Sequence, residues 1–488
     1  MIFNRFDSAK DFSGGNVPEG DFGWRLPRNL HCHFIGIGGV AMGNVAVDMV
    51  KNGFKVTGSD AGIYSPMKEF LTERGIEPLT PFRPDNLQGA DLIIVGNAIS
   101  RGNPELEEAM RRRMTLISMP ELIKWGLLAG RKNLVITGTH GKTTSTAIIA
   151  HILKGGGHRP GYLIGGVPRD FDSGFEAGKG EYFVIEGDEY DIAFFDKRAK
   201  FLLYLPFGVI INNLEYDHSD IYRNLDEIKD SFLKLVRLIP DNGYLVINGD
   251  DEAVKSVVSE ARCPVITFGL GEKNRFRGTI EISRIKISDG NNFWGECHFP
   301  LSGEYNLRNA LGAAALLDSV GIDRGEILRG LSGFKGVKRR MELAGEVGGI
   351  AVYDDFAHHP TAVKASIQAV KDMHPGRRIW ALFQPRSNTC VTNIFQDIWV
   401  DAFAGADKVV IAELHRRDKI PPEKRLSRED LREDLANIGI EAFLWDDANV
   451  IVENIGEYLK PGDVILIMSN SDFGGLAGKL ARLLGDRL

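Results

Sequence analysis

Short apolar runs alternate along the chain with longer stretches whose apolar positions recur at helical spacing, a pattern that predicts a parallel α/β architecture. "HFIGIG", "FKVTGSD" and "ADLIIVGNA" read as strand ends of a first unit. "NLVIT" followed by "STAIIAHILK" reads as a buried strand and an amphipathic helix carrying Ile148, Ile152 and Leu153. "GIAVYDDFAHHPTA" predicts a further strand, loop and helix start, and the chain closes on a strand and a helix facing inward through Leu476, Leu480 and Leu483. Residues 1–30 read as a loose polar lead-in. At roughly 150 residues per domain, about three domains are expected. The pattern divides them at 1–130, 131–336 and 337–488, three α/β units: Rossmann-like first and last domains and a central domain with a mostly parallel sheet.

The junction between "NLVIT" and its helix carries the first chemistry. Gly138, Thr139, His140, Gly141, Lys142, Thr143 and Thr144 form a turn opening onto a helix N-terminus. Free backbone N–H groups and the helix dipole favour an anion there. The glycines admit phosphate oxygens without a Cβ clash, Lys142 adds a positive charge, and the Thr143 hydroxyl is suited to Mg²⁺. The usual phosphate loop would place its first glycine at 136, which is Ile136, so the entry turn is shortened. A plain helix-capping turn is the competing reading.

Two further apolar runs end in acidic or polar residues. "EYFVIEGDEYD" places Glu186 first after the run, followed by Asp188, Glu189 and Asp191; "FGVIINNLEYDHSD" ends in Asn212, Asn213, Glu215, Asp217 and His218. Carboxylates at strand C-termini sit where α/β sheets bind ligands, which makes Glu186 the favoured Mg²⁺ ligand. A solvated acidic loop is the alternative.

At the front, Gly36, Gly38 and Ala41 fit a dinucleotide fingerprint, with Asp60 closing the next strand. Alone, this says NAD-dependent dehydrogenase. The same turn accepts other nucleotide diphosphates, and the second cradle with its acidic strand ends favours a ligase.

Composition removes other classes. Lysine and arginine number 59 against 66 acids, a net charge of −7, so no nucleic-acid partner is expected. The four cysteines are scattered, without a C-x-x-C pair. No signal peptide or membrane-length apolar run is read, so a cytoplasmic protein, a monomer or weak homodimer, is expected.

Taken in order, "GTHGKTT", "EGDEYD", "NNLEYDH", "GEYNLRNAL", "KRRME" and "YDDFAHHPTA" resemble the Mur ligases, and the resemblance spans nearly the whole chain after residue 30. It implies ATP and Mg²⁺ at the short cradle, UDP-N-acetylmuramate at the front domain, and amide-bond formation through an acyl phosphate. It assigns Lys142, Glu186, His218 and Arg340 to catalysis, and Thr143, Glu186 and His218 to metal. It adds Asn306, Asn309, Arg340 and Asp355 to the ATP contacts. Gly36, Gly38, Asp60, Asn97 and Arg386 become substrate contacts. "GNAISRGNPE", "FFDKRAKF", "PRSNT" and "MSNSDFGG" are similar to the branch that takes the tripeptide L-alanyl-γ-D-glutamyl-meso-diaminopimelate, with the branch that adds L-alanine as the alternative. Where several members carry a carbamylated lysine, this chain has Leu233.

Overall fold

The structure is a computed structural model that describes residues 22–63, 67–281 and 283–485. The lead-in up to residue 21 lies outside the described residues. Residues 22–30 are not a loose tail: Trp24 is buried and donates to Asp48 Oδ2 at 2.7 Å. Its ring meets Phe54 and Phe175 and so ties the first sheet to the second.

The first sheet is parallel, with His31–Ile35 at its centre between Lys55–Ser59 and Leu92–Val95, and Thr115–Ser118 at the edge. Its strands are short and apolar because helices cover them. The glycine turn after His31–Ile35 and the loop after Leu92–Val95 lie at the switch in strand order, the place where such sheets bind ligands.

The second sheet has ten strands. Lys132–Thr137 lies inside it, flanked in parallel by Tyr182–Glu186 and Pro206–Ile211. The two runs with acidic ends are therefore the immediate neighbours of the cradle strand. One edge is antiparallel, built from Phe276–Glu281, Arg284–Asp289 and Asn292–His298. The sequence reading did not foresee these hairpins, although Ile285 and Ile287 are buried between more exposed Arg284 and Lys286, the two-residue period of a half-covered strand. Helices Lys142–Gly155 and Glu304–Ser319 pack on this sheet through Ile148, Ile152, Leu153, Leu311 and Leu316.

The third sheet has six strands, with Val464–Met468 between Ile350–Asp355 and Ile379–Phe383. The last helix, Leu476–Gly485, buries Leu476, Leu480 and Leu484, with Leu483 partly covered. Among the described residues no helix is long and apolar enough to cross a membrane.

Candidate functional site

Helix Lys142–Gly155 starts on Gly141, which has φ +82° and no side-chain cap. A Cβ there would lie 2.4 Å from Asn309 Oδ1; at Gly138, φ +127°, it would come within 3.0 Å of the Asn213 backbone. Both positions need glycine because the turn is left-handed and closely packed. Asn213 pins the turn, accepting from His140 N at 2.7 Å and from Thr139 N at 3.1 Å. Behind it, Ser145 Oγ donates to Asn309 Oδ1 at 3.1 Å and accepts from Asn212 Nδ2 at 3.3 Å. Asn306 stands behind Asn309, donating to Ser302 O at 2.8 Å, and does not border the cleft described below.

Lys142 Nζ donates to Gly138 O at 2.7 Å and to both oxygens of Glu189 at 2.9 Å. His218 Nε2 meets Glu189 Oε1, also at 2.9 Å. The sequence shows Glu189 only as one member of an acidic run. The loop after strand Tyr182–Glu186 places it between Lys142 and His218, which spacing along the chain does not reveal. Burial opposes the charge on Lys142, yet Glu189, Asp188 and Glu186 outweigh it and hold its pKa above the usual value. For His218, too, burial pulls down, and Glu189 and Asp217 prevail, so its pKa is raised. Asp188 is resisted by burial but is brought down to about 2 by Lys200 and Lys142.

Glu186 faces the other side of the turn. It accepts from the Thr143 hydroxyl at 3.0 Å and from Gly165 N at 2.7 Å, and burial pushes its pKa up against the pull of Lys142. Thr143 and Glu186 form a hard-oxygen pair at the mouth of the cradle, a donor set that fits Mg²⁺. His218, grouped with them on the sequence, here engages Glu189 rather than Glu186.

The third sheet completes the cleft. Arg340 Nη2 reaches Thr143 Oγ1 at 3.0 Å, and its guanidinium lies 4.4 Å from the centre of the Phe356 ring. Asp355, at the end of strand Ile350–Asp355, ties two segments together, accepting from Met341 N at 2.6 Å and Ala357 N at 2.8 Å, and burial raises the pKa of its carboxyl. Non-glycine residues in the left-handed region cluster here: His218, Arg339, Met341 and Arg416, at φ between 51° and 57°. Such conformations cost about 1–3 kcal/mol each and persist where packing enforces them.

Lys142, Thr143, Glu186, His218, Arg340 and Asp355 border one cleft of about 960 Å³, which also takes in Arg386, His358 and Arg416. Gly36, Gly38, Asp60 and Asn97 lie outside it. Asp60 Oδ2 accepts from Gly38 N at 2.9 Å, so this carboxylate ties down the front turn. Asn97 donates to Asp191 Oδ1 at 2.9 Å and connects the first sheet to the second.

A lysine-bearing glycine turn between two acid-tipped strands, closed by an arginine from another domain, defines a three-domain α/β protein that handles nucleotide phosphates. The chain belongs to the Mur ligase family. Residues 31–129 match the model described as Mur ligase family, catalytic domain; residues 136–317 match the Mur ligase middle domain, and residues 339–471 the Mur ligase, glutamate ligase domain.

Among curated relatives, the UDP-N-acetylmuramate–L-alanyl-γ-D-glutamyl-meso-2,6-diaminoheptandioate ligase of Escherichia coli is 36% identical over 457 residues, covering 92% of this chain and 97% of that protein. The UDP-N-acetylmuramate–L-alanine ligase of Clostridium acetobutylicum is 35% identical over 447 residues, covering 90% and 95%. The crystal structure of a murein peptide ligase from Psychrobacter arcticus superposes with a TM-score of 0.71 at 33% identity, over 94% of this chain and 99% of that one. The alanine ligase of Thermotoga maritima gives 0.77 at 25% identity, over 94% and 100%.

Proposed function

We propose that this chain is an ATP-dependent ligase that joins L-alanyl-γ-D-glutamyl-meso-diaminopimelate to the lactoyl carboxylate of UDP-N-acetylmuramate in the cytoplasm, within peptidoglycan recycling. The observation that carries it is the convergence of Lys142, Thr143, Glu186, His218 and Arg340 on one cleft from two domains. A carboxylate resists amide formation because oxide is a prohibitive leaving group. Transfer of the ATP γ-phosphoryl to it creates an acyl phosphate, which the peptide amine then attacks with loss of phosphate. Lys142 and Arg340 supply positive charge where the transferring group gains negative charge. The backbone N–H groups at the start of helix Lys142–Gly155 orient the phosphates. Thr143 and Glu186 would hold Mg²⁺, which when bound neutralises phosphate charge, and His218 would join them on releasing Glu189. Arg340 belongs to the segment leading into the third sheet, so docking of that domain completes the site and excludes water.

The divisions 1–130, 131–336 and 337–488 then correspond to UDP-sugar, ATP and acceptor modules. On the acceptor side, Arg386 and Arg416 both border the cleft; burial first and then the neighbouring Arg416 lower the Arg386 pKa, with Asp472 opposing. Two like charges held near each other suit an acceptor with several carboxylates, as the tripeptide has, and are more than L-alanine requires. L-alanine is the second reading, favoured by the higher TM-score to the alanine ligase. Phosphate release is measured with ATP, Mg²⁺ and UDP-N-acetylmuramate plus either acceptor. The tripeptide is expected to drive turnover, and turnover with alanine alone reverses the choice.

A further inference from the structure

Beside the phosphate turn, three side chains from separate elements meet in a group that the ligase mechanism does not use. His140 comes from the turn, Glu215 from the segment after strand Pro206–Ile211, and His359 from the N-cap of helix Pro360–Met373. Glu215 Oε2 lies 3.5 Å from His140 Nε2 and 3.2 Å from His359 Nδ1, and the three atoms all fall within 4.8 Å of one another.

The hydrogen bonds fix the tautomer of one of the two rings. His359 Nε2 lies 3.3 Å from Tyr216 O, a carbonyl that only accepts, so Nε2 carries the proton. Nδ1 is then unprotonated, and its one lone pair accepts from Thr361 N at 3.3 Å, a long bond that an ion would replace. His140 Nε2 is buried without a hydrogen-bond partner. Thr361 Oγ1 donates to Glu215 Oε2 at 2.6 Å, using one of that oxygen's lone pairs and orienting the rest.

We propose that His140, Glu215 and His359 form a binding site for a divalent transition metal of the zinc type, distinct from the magnesium position, which ties the third domain to the phosphate turn. Zinc bonds of about 2.0–2.1 Å in a tetrahedron space the ligand atoms roughly 3.3 Å apart, between the two separations found here. Two imidazoles and one carboxylate favour zinc over magnesium, which prefers an all-oxygen shell. His140 and Glu215 border the cleft, so the fourth position opens onto it. An ion held by both domains opposes their separation and therefore slows any cycle that needs the cleft to open.

The test uses the full chain, stripped with a chelator and returned to excess MgCl₂. Titration with ZnCl₂ by calorimetry, and with CoCl₂ by visible absorption, is expected to give one equivalent with the intense bands of tetrahedral cobalt. E215Q and H359Q are each expected to weaken zinc binding by roughly 100-fold, the upper end of what losing even an outer partner costs. Zinc should also raise the thermal midpoint of the wild type but not of H359Q, whose cooperative melt shows that it is folded. Absence of zinc binding under magnesium, or binding unchanged in both variants, overturns the site. No substrate is present in these measurements, so they are independent of the acceptor and of the ligase reading.

Discussion

The front and central domains each place a glycine turn between a parallel strand and a helix, yet the two turns are chemically opposite. At the front, Asp60 occupies the turn's own N–H at Gly38, and the helix Val40–Lys51 has no basic residue in its first turn. In the centre the carboxylates come from neighbouring strands, and the turn itself carries Lys142. Topology makes both turns ligand seats. On the proposed function, the sign and placement of the nearby charges would set the central turn to phosphate transfer and the front turn to holding a nucleotide.

The sharpest way to break that contrast is Lys142→Ala, which should lower phosphate release by about 1,000-fold or more, the scale of losing a transition-state charge contact. A cooperative melt would show that the fold survives, and normal turnover would refute the cradle. Next, Gly141→Ala forces a side chain to φ +82° and onto Asn309 Oδ1. A loss of about 2 kcal/mol in stability and a drop in turnover of at least tenfold are expected. The matching Gly36→Ala change carries the same kind of backbone strain at φ +89°, but its nearest neighbour is the flexible Ile99 side chain at 3.3 Å, so it should cost less in the same denaturation assay.

Asp60→Ala should raise the KM for UDP-N-acetylmuramate by about tenfold with kcat nearly unchanged, because a holding contact contributes equally to ground and transition states. An equal fall in kcat would give the front turn a part in the chemistry.

The smallest effect concerns acid stability. Asp188 is held at about 2, below its ordinary 3.8. Its stabilisation is therefore complete above about pH 3.8 and is lost as pH falls through about 2. Asp188→Asn should flatten the unfolding free energy across that window by on the order of 1 kcal/mol, discounted for solvent screening at this partly exposed group.

The strand–turn–helix units were legible in the chain, because apolar periodicity and glycine placement are local properties. The glycine turn and Glu186 stood out by their places at a helix start and a strand end, and Arg340 only through the family resemblance; the structure brings all three to one cleft. The antiparallel edge at 276–298 was not recognised, although its two-residue alternation was available to be read. Glu189 could not be singled out from Asp188 and Asp191, since three acids in one run look alike until the folded loop turns one of them to Lys142 and His218. Asn306 and Asn309 looked equivalent at helical spacing, and only packing against Ser145 turned Asn309 alone toward the cleft. The meeting of His140, Glu215 and His359 likewise belongs to tertiary structure. Contacts between residues far apart in the chain depend on how the domains dock, and that docking is set by summed packing over whole surfaces that no local pattern encodes.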